Sequence, residues 1–209
     1  MAVAALSGDE QLFIFVQLCN PLDPGVAVAF GSASSELREL TQAERQQLQA
    51  DHEAAAALAR NAGRGRGSCK WLCEARDLGK PAGGFSSDDL AALGTLGLVL
   101  PALEVLRLKE PAAGPDGVPR LADKLGAGAL PAVTWLHIIC LHVGNAGASA
   151  LAAALGKGAL PRLKSLQLSY AAIGDAGLVA LAPALRRRPS LEELYLYDNP
   201  LGDEGLAAL

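Results

Sequence analysis

From Leu103 onward the chain repeats one pattern of apolar and polar positions. The repeated phrases read VLRLKEPAAGPDG, WLHIICLHVGNAG, SLQLSYAAIGDAG and ELYLYDNPLGDEG. Counting from the apolar residue that opens each unit (Leu103, Val133, Leu163, Leu191), position 4 is Leu106, Leu136, Leu166 and Leu194. Position 6 is Leu108, Ile138, Leu168 and Leu196. Position 12 is glycine in every unit (Gly114, Gly144, Gly174, Gly202), and so is position 15 (Gly117, Gly147, Gly177, Gly205). The alternation over positions 4 to 7 predicts a short, half-buried strand. After the glycines the period changes. Val118, Leu121, Ala122 and Leu125 form a helical stripe, repeated by Ala148, Leu151, Ala152 and Leu155 and by Leu178, Leu181, Ala182 and Leu185. The predicted helices end at Gly126, at Gly156 and in the basic run Arg186 to Arg188. Leu130-Pro131 and Leu160-Pro161 then block any continuation.

The openings are spaced 30, 30 and 28 residues apart, and self-similarity at such a period marks a solenoid. A single strand–turn–helix unit cannot bury its own apolar face, but a stack of them can. The fold class is therefore α/β, a repeat solenoid with a curved parallel sheet on the concave face and helices on the convex face. An N-terminal helical segment precedes it.

The last unit carries Leu191, Leu194, Leu196, Asn199, Leu201, Gly202, Asp203 and Gly205. It resembles the ribonuclease-inhibitor-like leucine-rich repeat, whose pattern is L-x-x-L-x-L-x-x-N-x-L-G-D-x-G. The resemblance implies the solenoid and a surface for protein partners, without naming one. Proteins of this repeat type include Ran-type GTPase activators, which the resemblance implies as an alternative function. The other units depart at position 9, with Pro111, Leu141 and Ala171 in place of Asn. Their turns must find other hydrogen-bond partners, so the early repeats are expected to be looser.

Residues 1–61 differ in kind. Ser7-x-x-Glu10 and Thr41-x-x-Glu44 read as capping boxes. The first opens a helix through Leu12, Phe13, Ile14, Phe15, Val16 and Leu18, so continuously apolar that burial on most sides is expected. Pro21 and Pro24 interrupt, a short helical stretch covers about Val26 to Phe30, and the second box starts a helix to about Asn61. Leu6, Ile14-Phe15-x-x-Leu18, Pro21, Asp23, Leu37 and Leu40 resemble an F-box, which implies docking to the adaptor of an SCF-type ubiquitin ligase. Ser7, Glu10 and Gln11 depart from that pattern, and its Trp has no counterpart before Leu37. The alternative is a helical cap over the first repeat.

Residues 62–67 read as a Gly/Arg linker. The repeats follow as 68–102, 103–132, 133–162, 163–190 and an incomplete 191–209. In the first of these, Ser68 is taken as position 1, with Trp71 and Cys73 at positions 4 and 6. Ser86 or Ser87 is expected to cap the helix that follows. The last helix stops at Leu209 with its apolar flank uncovered, which predicts fraying or self-association through that repeat.

Composition narrows the function. Apolar residues make up 51% of 209, enough for a sizeable core. No apolar run approaches the ~20 residues of a membrane span. Met1 to Leu6 has no basic stretch and meets Asp9 and Glu10 at once, unlike a signal peptide. The four scattered cysteines, Cys19, Cys69, Cys73 and Cys140, fit a reducing compartment. Cytoplasmic or nuclear location is therefore expected. A net charge of −4 argues against nucleic acid as the main partner. Phosphate-loop, zincin and nucleophile-elbow motifs are absent, Cys69-x-x-x-Cys73 lacks a second metal-binding pair, and nothing orients a base in His137-x-x-Cys140-x-His142. No catalytic residue, metal or cofactor is expected.

What remains is the surface formed by positions 3, 5 and 7. Its candidate partner-binding residues are Arg107, Lys109, Trp135, His137, Gln167, Tyr195 and Tyr197. Exposed Trp, Tyr and Arg are the side chains that dominate binding interfaces. For Trp135 the alternative is sideways packing on large neighbours. The reading is a non-enzymatic scaffold for a protein partner, with neither nucleic acid nor membrane as its target.

Overall fold

The computed structural model describes residues 6–62, 69–79, 84–109, 114–139 and 142–209. Four helices lead: α1 (Gly8–Leu18), α2 (Gly25–Gly31), α3 (Ser35–Leu40) and α4 (Gln42–Ala62). After α5 (Cys69–Glu74) strands and helices alternate. They are β1 (Asp77–Gly79), α6 (Ser87–Thr95), β2 (Val105–Lys109), α7 (Gly117–Lys124), β3 (Trp135–Ile139), α8 (Gly144–Gly156), β4 (Ser165–Ser169), α9 (Asp175–Arg186), β5 (Glu193–Tyr195) and α10 (Asp203–Ala207).

The strands form one parallel sheet in sequence order, β1-β2-β3-β4-β5. Its register aligns Leu78, Leu106, Leu136, Leu166 and Leu194 in one row. The first four of these are buried, and Leu108, Ile138 and Leu168 form a second buried row. These rows meet Leu93, Leu121, Leu151 and Leu181 from the helices in one continuous core. Each helix from α6 to α10 packs on the next.

The glycine pairs of the last two units have a steric cause. A Cβ at Gly177 would lie 2.7 Å from Asn145 Oδ1, and one at Gly205 would lie 2.5 Å from Asp175 Oδ1. Those oxygens belong to position 13 of the preceding repeat. Gly174 and Gly177 N–H donate to Asn145 Oδ1 at 2.8 and 3.1 Å, and Gly202 N–H donates to Asp175 Oδ1 at 2.7 Å. Position 13 thus caps the next helix, and the glycines admit the capping side chain.

Several expectations are corrected. Trp71 and Cys73 are not strand residues. Cys69, Leu72 and Cys73 fall at helical spacing, and α5 turns Leu72 into the core. Leu78, paired with Leu106, takes position 4, so the first repeat opens at Ala75 and not at Ser68, which lies outside the described residues. Arg76 O accepts Glu104 N–H and Val105 N–H, as Glu104 O accepts those of Thr134 and Trp135 one repeat later. Thr41 turns its hydroxyl back to Leu37 O at 2.7 Å, so α3 runs almost directly into α4. The Ser7–Glu10 box does close, and Ser86, not Ser87, caps α6 with Asp89. Helix α7 stops at Lys124, ahead of Gly126.

The leading helix is less buried than its composition implies. Phe15 sits in a small core with Ala27 and Leu48, but Phe13 is 65% exposed and Val16 is also exposed. Among the described residues helix α1 packs mainly on α2 and α3. Helix α4 bridges to the repeats. Leu48 belongs to the small core, whereas Ala55, Leu58, Ala59 and Ala62 belong to the main one. Asn61 Nδ2 donates to Asp89 Oδ1 at 2.9 Å, tying α4 to α6.

Candidate protein-interaction face

Strand alternation sends positions 4 and 6 into the core and leaves positions 3, 5 and 7 on the open face of the sheet. The register then sorts these residues into rows. Position 3 reads Asp77, Val105, Trp135, Ser165, Glu193, and position 5 reads Gly79, Arg107, His137, Gln167, Tyr195. Lys109, Ile139 and Ser169 form the third row. Tyr197 follows the end of β5, its carbonyl accepting Tyr170 N–H at 2.9 Å. All seven candidate residues therefore lie on this face. They do not form one cluster, because they divide between its two ends.

At the β1–β2 end, Arg107 is committed to Asp77 in an ion pair. A Cβ at Gly79 would lie 3.1 Å from Arg107 Cβ, so the glycine makes room for the arginine beside it. Lys109 is exposed, with no ion pair among the described residues. Partial burial, with the Arg107 and Lys109 charges, holds His137 below the usual imidazole range.

Over β4 the face has a different shape. Ser165 and Ser169, 1% and 2% exposed, flank the half-buried Gln167. On one side stand Trp135, His137 and Ile139, with the Trp135 and His137 rings 5.7 Å apart and tilted 46°. On the other stand Glu193, Tyr195 and Tyr197, the two tyrosine rings 5.8 Å apart and tilted 32°. Trp135 is 44% exposed and Tyr197 60%. Small polar residues between tall aromatic neighbours make a trough along β4. Gln167 Nε2 reaches Ser169 Oγ at 3.4 Å, while Ser165 Oγ is buried without a hydrogen-bond partner. The Glu193 carboxylate pushes the Tyr195 phenol above its usual range.

The aromatic residues stood out in the sequence because aromatic content is only 4%. Ser165, Ser169 and Glu193 did not, although the trough depends on them. The signal for them is contrast along a row, a small residue between two large ones, which requires the register. Asp77 was missed because the first repeat was read out of register.

The remaining chemistry is sparse. Cys140, the thiol between His137 and His142, and the turn residues Pro111 and Leu141 lie outside the described residues. Cys69 Sγ lies 4.0 Å from His52 Nδ1, but that nitrogen also faces Pro21 O at 2.7 Å. Burial pushes the Cys69 and Cys73 thiols up, away from the reactive thiolate. Among the described residues no three His, Cys, Asp or Glu side chains gather as a metal site, and no helix is long and apolar enough to cross a membrane.

The Leucine Rich repeat family model matches the chain twice, over residues 160–182 and 188–209. These stretches contain β4, most of α9, β5 and α10, and so one wall of the trough and its floor. No curated protein shows a significant match to the chain. Leucine-rich repeats in general mediate protein–protein interaction and are typically non-enzymatic. The match and the five-stranded parallel sheet support a leucine-rich-repeat protein.

Proposed function

We propose that this protein is a non-enzymatic scaffold, a ribonuclease-inhibitor-like leucine-rich-repeat solenoid that binds a protein partner on a concave sheet face, in the cytoplasm or nucleus. The observation that carries the reading is the trough over β4, where exposed Trp135 and Tyr197 and the half-buried Tyr195 flank buried serines. A rigid sheet holds these rings at little entropic cost, the property expected of an anchor site. The test compares partners captured by the wild type and by a Trp135→Ala, Tyr195→Ala double variant. Selective loss of a partner from the variant is expected, and identical capture by both proteins removes the open face from the mechanism.

A second reading concerns the N-terminal segment. The exposed Phe13 and Val16 lie on one face of α1, as an F-box-like docking surface for a ubiquitin-ligase adaptor requires. Phe13→Asp should abolish adaptor binding and leave the melting temperature unchanged. Phe15 is unsuitable for this test, because it is fully buried and its replacement by Asp would unfold the small core. Binding that survives Phe13→Asp would reduce residues 6–62 to a cap, the role to which α4 already contributes by packing on α6. The last repeat, with Leu206 and Leu209 exposed, offers a surface for self-association. A sedimentation mass independent of concentration would exclude that contact.

A further inference from the structure

The trough over β4 carries a charge asymmetry that bears on what occupies it. Two carboxylates open β5. Glu192 is paired with Lys164 Nζ at 2.9 Å, but Glu193 has no cation beside it among the described residues. Glu193 shares the position 3 row with Trp135, and Ser165 lies between them. Two strand spacings separate the indole and carboxylate strands, about 10 Å, and because Ser165 between them is 1% exposed, a flat or slender cationic group reaches it only as Trp135 moves. Aromatic faces and an uncompensated carboxylate are the two elements that attract an organic cation. The Ser165 hydroxyl, buried on the floor without a partner, is an independent sign of an incomplete site. An orphaned buried hydroxyl is destabilising until something bonds to it.

We infer that the trough between Trp135 and Tyr195 receives an arginine or lysine side chain from a basic segment of the partner. The cation lies against the Trp135 ring and pairs with Glu193, and the Ser165 hydroxyl bonds the incoming group once Trp135 shifts aside. At the opposite end of the face Arg107 is neutralised by Asp77, which leaves Lys109 as the exposed cation there. That polarity orients the segment, with its basic residue over β4 and β5. This inference rests on the proposed partner-binding role of the open face and adds to it the chemistry of the partner.

Nα-acetyl-arginine methylamide and its lysine, glutamine and glutamate counterparts can be titrated into the full chain, reading the Trp135 indole N–H resonance. Saturable shifts are expected from the arginine and lysine probes, with affinity for the glutamine probe at least fivefold weaker. Glu193→Gln should lower the arginine affinity at least fivefold. Ser165→Ala should also weaken it, while leaving the melting temperature equal or higher, since removing an orphaned hydroxyl does not harm the free protein. Equal response to arginine and glutamine, or an unchanged affinity in Glu193→Gln, overturns the inference. The two proposals can fail separately. A partner lost from the Trp135→Ala, Tyr195→Ala variant, with no response to any cationic probe, keeps the interaction face and rejects the basic side chain. Cationic probes that bind in the wild type, with identical protein capture by both proteins, reject the partner-binding role instead.

Discussion

The two ends of the repeat array hold neighbouring repeats together by different means. Between the first and second repeats the side-chain contacts are surface ion pairs: Arg76 with Glu104, Arg107 with Asp77 and Arg120 with Asp88. Toward the C-terminus they are mainly hydrogen bonds from side chains to the neighbouring backbone. Asn199 accepts from Ala171 N–H and Ile173 N–H and donates to Leu168 O. Arg188 donates to Leu155, Ala159 and Leu160 carbonyls, Ser190 donates to Leu163 O, and Asn145 and Asp175 cap the following helices. Among the described residues only Lys164–Glu192 adds an ion pair there. Exposed ion pairs contribute little and are screened by salt. Bonds to otherwise unpaired backbone groups matter more, because losing them strands buried polar atoms. The contrast shows that similar repeat geometry can be sealed at very different strengths, and that the strongly sealed repeats are those matching the family pattern.

Asn199→Ala should break the comparison most severely. It removes bonds to two repeats at once, and a loss of about 2–4 kcal/mol is expected in urea unfolding. Arg188→Ala should cost about 2 kcal/mol, since three carbonyls lose a charged donor. Desolvation lowers the Arg188 pKa from its ordinary value, consistent with a guanidinium turned inward.

Gly177→Ala tests the steric origin of the glycine pair. Its Cβ meets Asn145 Oδ1 at 2.7 Å and Ile173 Cγ2 at 2.9 Å, so a loss of about 1–3 kcal/mol is expected. Gly156, with nothing within 4 Å of its Cβ, should gain about 0.5 kcal/mol on replacement by Ala. Similar effects at both positions would refute the interlocking of position 13 with the glycines.

Neutralising an ion pair at the other end, as in Arg120→Gln, should cost less than about 1 kcal/mol. The difference from wild type should vanish in roughly 1 M salt, where the screening length falls to about 3 Å. A loss as large as that of Asn199→Ala would erase the contrast between the two ends.

The smallest effect concerns pH. His137 has its folded-state pKa lowered by burial and by Arg107 and Lys109. The unfolded chain therefore binds the proton more readily. The contribution of His137 to stability is present above its ordinary pKa, near 6.5, and is lost as pH falls through the lower folded value. His137→Gln should flatten the melting temperature over that acidic window and leave it unchanged above pH ~7. An unaltered pH profile in the variant would place the loss elsewhere.

The strand positions and helical stripes of residues 103–209 were legible because burial imposes a period on sequence, two for strands and about 3.6 for helices. The paired glycines were equally visible, although their cause was not. In the last two units the oxygen that a side chain there would meet lies a repeat away, on Asn145 or Asp175, and only the stack brings it there. The first strand escaped for a related reason. Cys69, Leu72 and Cys73 can serve a helix, while a strand as short as Asp77–Gly79 leaves almost no periodic trace, so pairing with β2 decided the register. Exposure of Phe13 was also a tertiary outcome, because local composition cannot state how many neighbours a helix has. The seven candidate residues could be assigned to one face from alternation alone. Their division into a basic end and an aromatic trough needed the lateral register, which sets Ser165 between Trp135 and Glu193. Period is a property of the chain read along itself; a trough is a property of chains read side by side, and only folding makes residues 135, 165 and 193 neighbours.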